Sequence, residues 1–313
     1  MYVTEGKRIW VAGHNGMVGR AVVRFLKNRD CTTLTVNRNE VDLTRQGEVE
    51  AWISKVKPDA IIICAAKVGG ILVNSTYPAD FLYDNLMIEA NVIHAACNQN
   101  VEKLIFLGSS CIYPKFADQP IREDMLLTGS LEPTNEWYAI AKIAGIKLCQ
   151  AYRQQHGCDF VSVMPTNLYG PFDNFDLETS HVIPALIRKF HEAKVKGRAG
   201  VEIWGSGNVR REFLHVDDCA DGILFILENY SGHSHLNLGT GADVTIRELA
   251  QKISQVVGFE GDLIFNKSKP EGTPRKLLNI QEINKLGWKS QTSLLEGLRD
   301  TYNFYISMIS HRY

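Results

Sequence analysis

Short apolar runs alternate along the chain with longer stretches in which apolar residues recur at helical spacing. Residues 7–12, KRIWVA, form the first run and predict a buried strand. The turn Gly13-His14-Asn15-Gly16-Met17-Val18-Gly19 leads into AVVRFLK, which predicts a helix. TTLTV at 32–36 predicts a second strand. AIIICAA at 60–66 and KLIFLG at 103–108 are continuously apolar, as expected of strands buried on both faces of a parallel sheet. A helical pattern over 79–98 lies between them. Another helix starts near Tyr138 and runs to about residue 156, ahead of a strand at 160–164, FVSVM. Strands alternating with helices predict a doubly wound α/β domain, with its ligand at the carboxyl ends of the strands.

The second half is less regular. Residues 182–196 predict a helix, VEIW at 201–204 a short strand, and 216–229 a further helix. LNLGTG at 236–241 reads as strand and turn, and Thr245-Ile246-Arg247-Glu248 as a capped helix start. The 313 residues, 45% of them hydrophobic, are enough for one large or two small domains. Lys and Arg number 34 against 35 Asp and Glu, a net charge of −1, which argues against a nucleic-acid or anionic-membrane binder. No apolar run is long enough to span a bilayer, and residues 1–8 lack the layout of a signal peptide. The seven cysteines are scattered with no C-x-x-C pair. Neither a disulfide framework nor a zinc site is expected, no metal is called for, and a reducing cytoplasmic setting fits.

Four features carry chemistry. The glycine triplet sits at the first strand-to-helix junction, where backbone N–H groups and the helix N-terminus can cradle a pyrophosphate. The second strand ends at Val36-Asn37-Arg38 without an acid to hold a ribose 2′-hydroxyl. Arg38 could instead pair with a 2′-phosphate, which favours NADP(H) over NAD(H). Tyr138 and Lys142 stand four apart, on one face of a helix. An ammonium close to a phenol is expected to lower its pKa, making the pair an acid/base for a carbonyl and its alcohol. Ser109 and Ser110 sit just past the fourth strand, and a serine hydroxyl there could hydrogen-bond the same carbonyl oxygen.

These residues together resemble the extended short-chain dehydrogenase/reductases that act on nucleotide sugars, over essentially the whole chain. The runs AAKVGGI at 65–71, LGSSCIYP at 107–114, PTNE at 133–136, MPTNLYGP at 164–171, SHVIPA at 180–185 and REFLHVDD at 211–218 are similar to members that epimerise and then reduce a GDP-4-keto-6-deoxy sugar. The resemblance implies a Rossmann-type doubly wound parallel sheet with a smaller C-terminal α/β substrate lobe. The expected division is 1–166 plus 213–237 for the NADP-binding domain, and 167–212 plus 238–313 for the substrate lobe.

The resemblance places the catalytic serine, tyrosine and lysine on Ser109, Tyr138 and Lys142. It places the epimerisation base on Cys111 and the acid on His181. A thiolate and an imidazole can both exchange protons near neutral pH, and a C4 ketone acidifies the neighbouring C3 and C5 protons. Cofactor contacts are expected from Gly13, Asn15, Gly16, Met17, Val18 and Gly19 in the glycine loop, and from Arg38, Asp42 and Leu43 beyond the second strand. Leu107, Gly108, Ser109 and Ser110 follow at the fourth strand, then Tyr138 and Lys142. Pro165, Thr166, Asn167, Leu168 and His181 complete that set. Substrate contacts are expected from Lys189, Trp204, Arg211, Glu271 and Lys276, with Arg211 meeting phosphate. Asn15 departs from the family pattern, where Arg is frequent, and leaves more of the NADP preference on Arg38. The helices near 79–98 and 138–156 are expected to pair with a second subunit as a four-helix bundle in a homodimer. A nucleotide-sugar dehydratase is disfavoured, because Ser110-Cys111 stand where those enzymes carry an acidic pair. The same residues would serve a substrate lacking the 3-hydroxyl.

Overall fold

The computed structural model describes residues 1–269 and 272–310. The first half contains β1 (Arg8–Ala12), α1 (Met17–Leu26), β2 (Thr32–Leu34), α2 (Gln46–Val56), β3 (Ala60–Ile63), α3 (Ile71–Thr76), α4 (Pro78–Asn98) and β4 (Lys103–Leu107). Next come α5 (Glu136–His156), β5 (Asp159–Pro165), β6 (Asn167–Tyr169), α6 (Val182–Val195), β7 (Gly200–Trp204) and β8 (Arg210–His215). The remainder is α7 (Val216–Asn229), β9 (Leu236–Leu238), β10 (Asp243–Thr245), α8 (Ile246–Val257), β11 (Asp262–Asn266), β12 (Arg275–Lys276), α9 (Gln281–Leu286) and α10 (Leu294–Ser310).

Six strands form a parallel sheet in the order β2-β1-β3-β4-β5-β9. Of its four interior strands, β1, β3 and β4 are apolar along nearly their whole length because helices cover both faces. On one face Ile9, Val11 and Ile62 pack with Val22 of α1 and Ile223 and Leu227 of α7. On the other, Trp10, Ile61 and Phe106 pack with Ile53 of α2, Val92 of α4 and Ile146 of α5. The strand order reverses between β1 and β3, which opens a crevice at their carboxyl ends.

Several expected elements differ in extent. β2 stops at Leu34 rather than Val36, and α1 begins at Met17, so Met17, Val18 and Gly19 form its first turn. The short strands β6, β8, β10, β11 and β12, together with α2 and α10, had no sequence reading. β8 is RREFLH, whose charged residues hide a strand from any test of alternation.

β8 organises the second lobe. It pairs in parallel with β6 and β12 and antiparallel with β10, while β7 and β11 form a separate parallel pair. Phe190 of α6, Ile203 of β7, Ile253 of α8 and Leu298 of α10 share a core there. We keep the two-lobe division as a proposal, with exchange at its boundaries. α7 packs on the first-sheet core, while β8 pairs within the second sheet through His215. Ile283 of α9 and Trp288 pack into the first-lobe core.

One buried carboxylate fastens the junction. Glu212 of β8 accepts the main-chain N–H of Thr240 at 2.6 Å, of Gly241 at 2.7 Å and of Leu278 at 2.9 Å. Its carbonyl oxygen accepts the Asn167 amide at 2.7 Å, so the end of the first sheet is tied to the same residue. Replacing Glu212 by Ala removes the acceptor of three N–H groups, each costing about 1–3 kcal/mol when left unpaired away from water. We expect urea unfolding to report a loss of at least ~3 kcal/mol. A loss below ~1 kcal/mol would show that the junction holds without the carboxylate.

Candidate active site

The cleft is built on the carboxyl edge of the first sheet. Gly13 adopts a φ of +90°, and a Cβ there would lie 2.5 Å from the Ala65 nitrogen. A Cβ at Gly19 would lie 2.7 Å from the His14 Cα and still closer to the Gly13 carbonyl. These two glycines let β1, the turn and α1 pack tightly. Gly16 differs: a Cβ there meets only the Gly13 oxygen, at 3.6 Å, so space lies open in front of it. Gly16 is the N-cap of α1 and no side chain caps that end. The first-turn N–H groups of this ten-residue helix therefore face the crevice, and they fit a pyrophosphate.

Asn15 donates to the Asn37 side-chain oxygen at 3.0 Å, bridging the glycine turn to the segment after β2. Arg38 is exposed on that segment. The Asp42 carboxyl beside it is held below the usual carboxylate range, first by the Thr44 main-chain N–H and in smaller part by Arg38. The Leu43 carbonyl accepts the Asn91 amide at 2.9 Å, which fixes this segment against α4. A basic side chain and an anchored turn at this place suit a 2′-phosphate on the adenosine ribose.

Leu107 ends β4, and the Gly108 N–H reaches the Val163 carbonyl at 2.9 Å. Ser109 then caps a short turn over Ser110–Ile112, its hydroxyl accepting the Cys111 N–H at 3.4 Å. Ser110 is buried, whereas the Ser109 hydroxyl is near enough to the Tyr138 phenol to favour its ionised form. Ser109 is thus the serine that faces Tyr138.

The Tyr138–Lys142 expectation needs correction. The Lys142 ammonium lies 5.8 Å from the Tyr138 ring centre, but its ion pair is with Glu89 of α4, at 2.8 Å. Both partners are about 2% exposed. The Tyr138 phenol is pushed well up by burial, with the charges of Cys111 and Glu89 adding to the rise and the Ser109 hydrogen bond opposing it. Its pKa is therefore raised, not lowered. Glu89 itself is raised to about 7 by burial, although Lys142 pulls the other way. α5 admits this carboxylate because residue 145 is glycine: a Cβ there would lie 2.5 Å from the Glu89 Oε2. Glu89 had no sequence reading. A signal existed, since Phe81, Asn85, Glu89, Val92 and Ala96 recur at helical spacing and all are buried.

Cys111 is buried, and its thiol is pushed up by that burial, with the Lys276 ammonium and the Ser109 hydroxyl pulling it down. Lys276 of β12 stands opposite Arg211 of β8 in register, so the cation near the thiol has a second cation as its neighbour. Burial holds Lys276 below the ordinary amine value, Cys111 pulls it up and Arg211 depresses it. His181 is the N-cap of α6. His181 is exposed as a residue, yet the protein packed around its imidazole holds the ring below its ordinary pKa. The segment before it is pinned by the Gly70 N–H, which donates to the Thr179 carbonyl at 3.1 Å.

Pro165 closes β5, and the Thr166 N–H donates to the Leu238 carbonyl at 3.0 Å. Leu168 packs on the first-lobe core. Farther out, the Lys189 ammonium lies 5.6 Å from the Trp204 ring centre and donates to the Glu202 carbonyl at 3.2 Å. Lys269, which had no sequence reading, lies 5.3 Å from the same ring. A partly exposed indole flanked by two ammonium groups is suited to a flat base and its phosphates. Glu271 falls outside the described residues.

The NAD dependent epimerase/dehydratase family matches residues 9–239. GDP-L-fucose synthase of Sinorhizobium fredii is 59% identical over 310 residues, which are 99% of each chain. GDP-L-colitose synthase of Yersinia pseudotuberculosis is 38% identical, over 96% of this chain and 98% of its own. The crystal structure of a GDP-L-fucose synthetase from Naegleria fowleri bound to NADP superposes with a TM-score of 0.90 at 27% identity, covering 99% of this chain and 97% of that one. The chain belongs to the NAD dependent epimerase/dehydratase family, within its GDP-L-fucose synthase branch.

Proposed function

We propose that this chain converts GDP-4-keto-6-deoxy-D-mannose to GDP-L-fucose by epimerisation at C3 and C5 followed by reduction at C4. The observation that carries the reading is one cleft wall holding Ser109 and Tyr138 together with Cys111 and Lys276. NADPH, when bound, supplies the hydride for C4. Every other step falls to the chain.

Ser109 and Tyr138 hydrogen-bond the C4 oxygen, so the enolate formed by removing a C3 or C5 proton is stabilised where its charge gathers. Cys111 acts as base and His181 as acid on the other face of the ring. Tyr138 protonates the C4 oxygen during reduction, and its raised pKa keeps the phenol loaded at neutral pH. Lys142, held by Glu89, orients the nicotinamide ribose. Arg211 and Lys276 meet the diphosphate, with Lys189 and Trp204 toward the guanine. A 3-deoxy substrate would use the same groups. The 59% identity to a fucose synthase, against 38% to a colitose synthase, favours the sugar with its 3-hydroxyl.

The protein is proposed to work in the cytoplasm as a homodimer. Tyr83 on α4 and Trp137 and Ile140 on α5 are 60%, 40% and 41% exposed, and they suit a bundle with the same helices of a second subunit. Light scattering should give twice the mass of one chain. A single-chain mass at micromolar concentration would remove the bundle.

The function is tested with NADPH and the keto sugar in D₂O, products being read by NMR. The expected product is GDP-L-fucose carrying deuterium at C3 and C5. Cys111→Ser should lose that exchange by at least ~100-fold while NADPH binding persists. Faster turnover of the 3-deoxy sugar would reassign the substrate, and no NADPH oxidation with either sugar would reject the reading.

The pH dependence has a definite form. Cys111 must lose a proton and is raised, whereas His181 must hold one and is lowered. The product of the two active fractions is then flat between the lowered imidazole and the raised thiol, and falls outside both. Lys276→Met removes a cation that pulls Cys111 down, so the upper limb should move to higher pH and the plateau rate should fall about tenfold per pKa unit. An unmoved upper limb would take Cys111 out of the proton transfer.

A further inference from the structure

Two cysteines that the proposed reaction does not use are in contact at the far edge of the sheet. Cys97 lies in the last turn of α4, and Cys158 follows Gly157, the left-handed residue that ends α5. Their sulfur atoms are 3.3 Å apart, with the Cys158 thiol donating to the Cys97 sulfur. Both are free thiols and neither is fully buried. They line an open cavity of about 670 Å³ with His94, Asn98, Tyr152 and His156. That volume falls in the range of small-molecule sites, ~300–1,000 Å³. One wall is fixed by hydrogen bonds: His94 Nδ1 is 2.5 Å from the Tyr152 hydroxyl, and the Asn98 amide is 3.0 Å from His94 Nε2.

We infer that Cys97 and Cys158 form a redox-modification site, closed to an intramolecular disulfide by thiol–disulfide exchange with a small disulfide of the glutathione class. The Cys97 thiolate attacks one sulfur of the small disulfide and expels the first thiolate. The Cys158 thiolate then attacks the Cys97 sulfur of the mixed disulfide and expels the second. Two electrons pass from the protein to the small disulfide, and the two protein protons end on the two released thiols. The direct contact favours the second step, since only about 1.3 Å separates 3.3 Å from a bonded S–S distance of ~2.05 Å. Because the Cys158 S–H donates to the Cys97 sulfur, Cys97 is assigned the first attack and Cys158 the second.

The site is set apart from the catalytic one. Cys97 precedes β4 and Cys158 precedes β5, so both sit at the amino edge, whereas Ser109, Cys111 and Tyr138 are at the carboxyl edge. It also lies at the C-terminal ends of α4 and α5, away from Tyr83, Trp137 and Ile140. The segment that the bond would close contains Ser109, Cys111, Tyr138 and Lys142. A crosslink across so long a loop restricts the unfolded chain, so it should stabilise the segment that carries the chemistry without reshaping the cleft.

The experiment incubates the full-length protein with oxidised glutathione and reads intact mass, peptide mapping and thermal unfolding. The expected species is lighter by two hydrogen atoms and carries a Cys97–Cys158 linked peptide. Its Tm should be higher by several degrees, and dithiothreitol should return it to the starting value. C97S and C158S should each give no such species and no rise in Tm. A persistent glutathione adduct on the wild type would overturn the inference, as would a bond mapped to other cysteines or between two chains. An unchanged mass at high oxidised glutathione would do the same. The outcome is independent of whether the substrate assignment holds.

Discussion

The cleft depends on a carboxylate that never touches it. Glu212 is fully buried, and an isolated carboxylate in that position would cost several kcal/mol. It is stabilised by three main-chain N–H donors drawn from two separate loops. That requirement runs in both directions. The loops are held because the charge needs their donors, and β12 is thereby kept beside β8. Arg211 and Lys276 consequently stand in register, where burial and then Arg211 hold the Lys276 amine below its ordinary value while Cys111 and Glu132 pull it up.

The same burial acts with different consequences on the two halves of the chemistry. It drives ionisable groups in the cleft toward neutrality: Tyr138 and Cys111 upward, His181 downward. Reduction gains, because the phenol must hold a proton until the C4 oxygen takes it. Epimerisation does not, because a thiolate and an imidazolium are both minority forms. Lys276 is the compensation on the thiol side, being the largest influence pulling Cys111 down. Under the proposed mechanism one cleft serves both steps because a cation stands near the thiol that must lose its proton.

Much of this was legible in the chain. Continuous apolar runs gave β1, β3, β4 and β5, since strands covered on both faces need no polar residue. Helical spacing gave α4, α5, α6 and α7 within a residue or two. The glycine turn follows β1, Ser109 follows β4 and Arg38 lies beyond β2, while Tyr138 sits in the first turn of α5, as the chain's pattern had each of them. What could not be read were groups whose role depends on a distant partner. Glu89 and Lys142 are separated by 53 positions, and nothing local says that α4 and α5 bring them within 2.8 Å. The i, i+4 rule paired Lys142 with Tyr138 instead, since sequence offers only near neighbours. β8 was missed for a related reason: Glu212 is polar in sequence and buried in space.

Gly145 shows why such sites look wrong locally. A glycine in the middle of α5 weakens the helix by about 1 kcal/mol relative to alanine. Alanine, however, would put a methyl group against Glu89 and Phe106, so the better helix former would displace the carboxylate. Lys142 would then keep a buried charge without its partner, which costs far more than the glycine does. The weaker helix residue is therefore the one consistent with the ion pair between Lys142 and Glu89. Local propensity yields here to an electrostatic requirement set by another helix, as is expected where a fold has been shaped around chemistry.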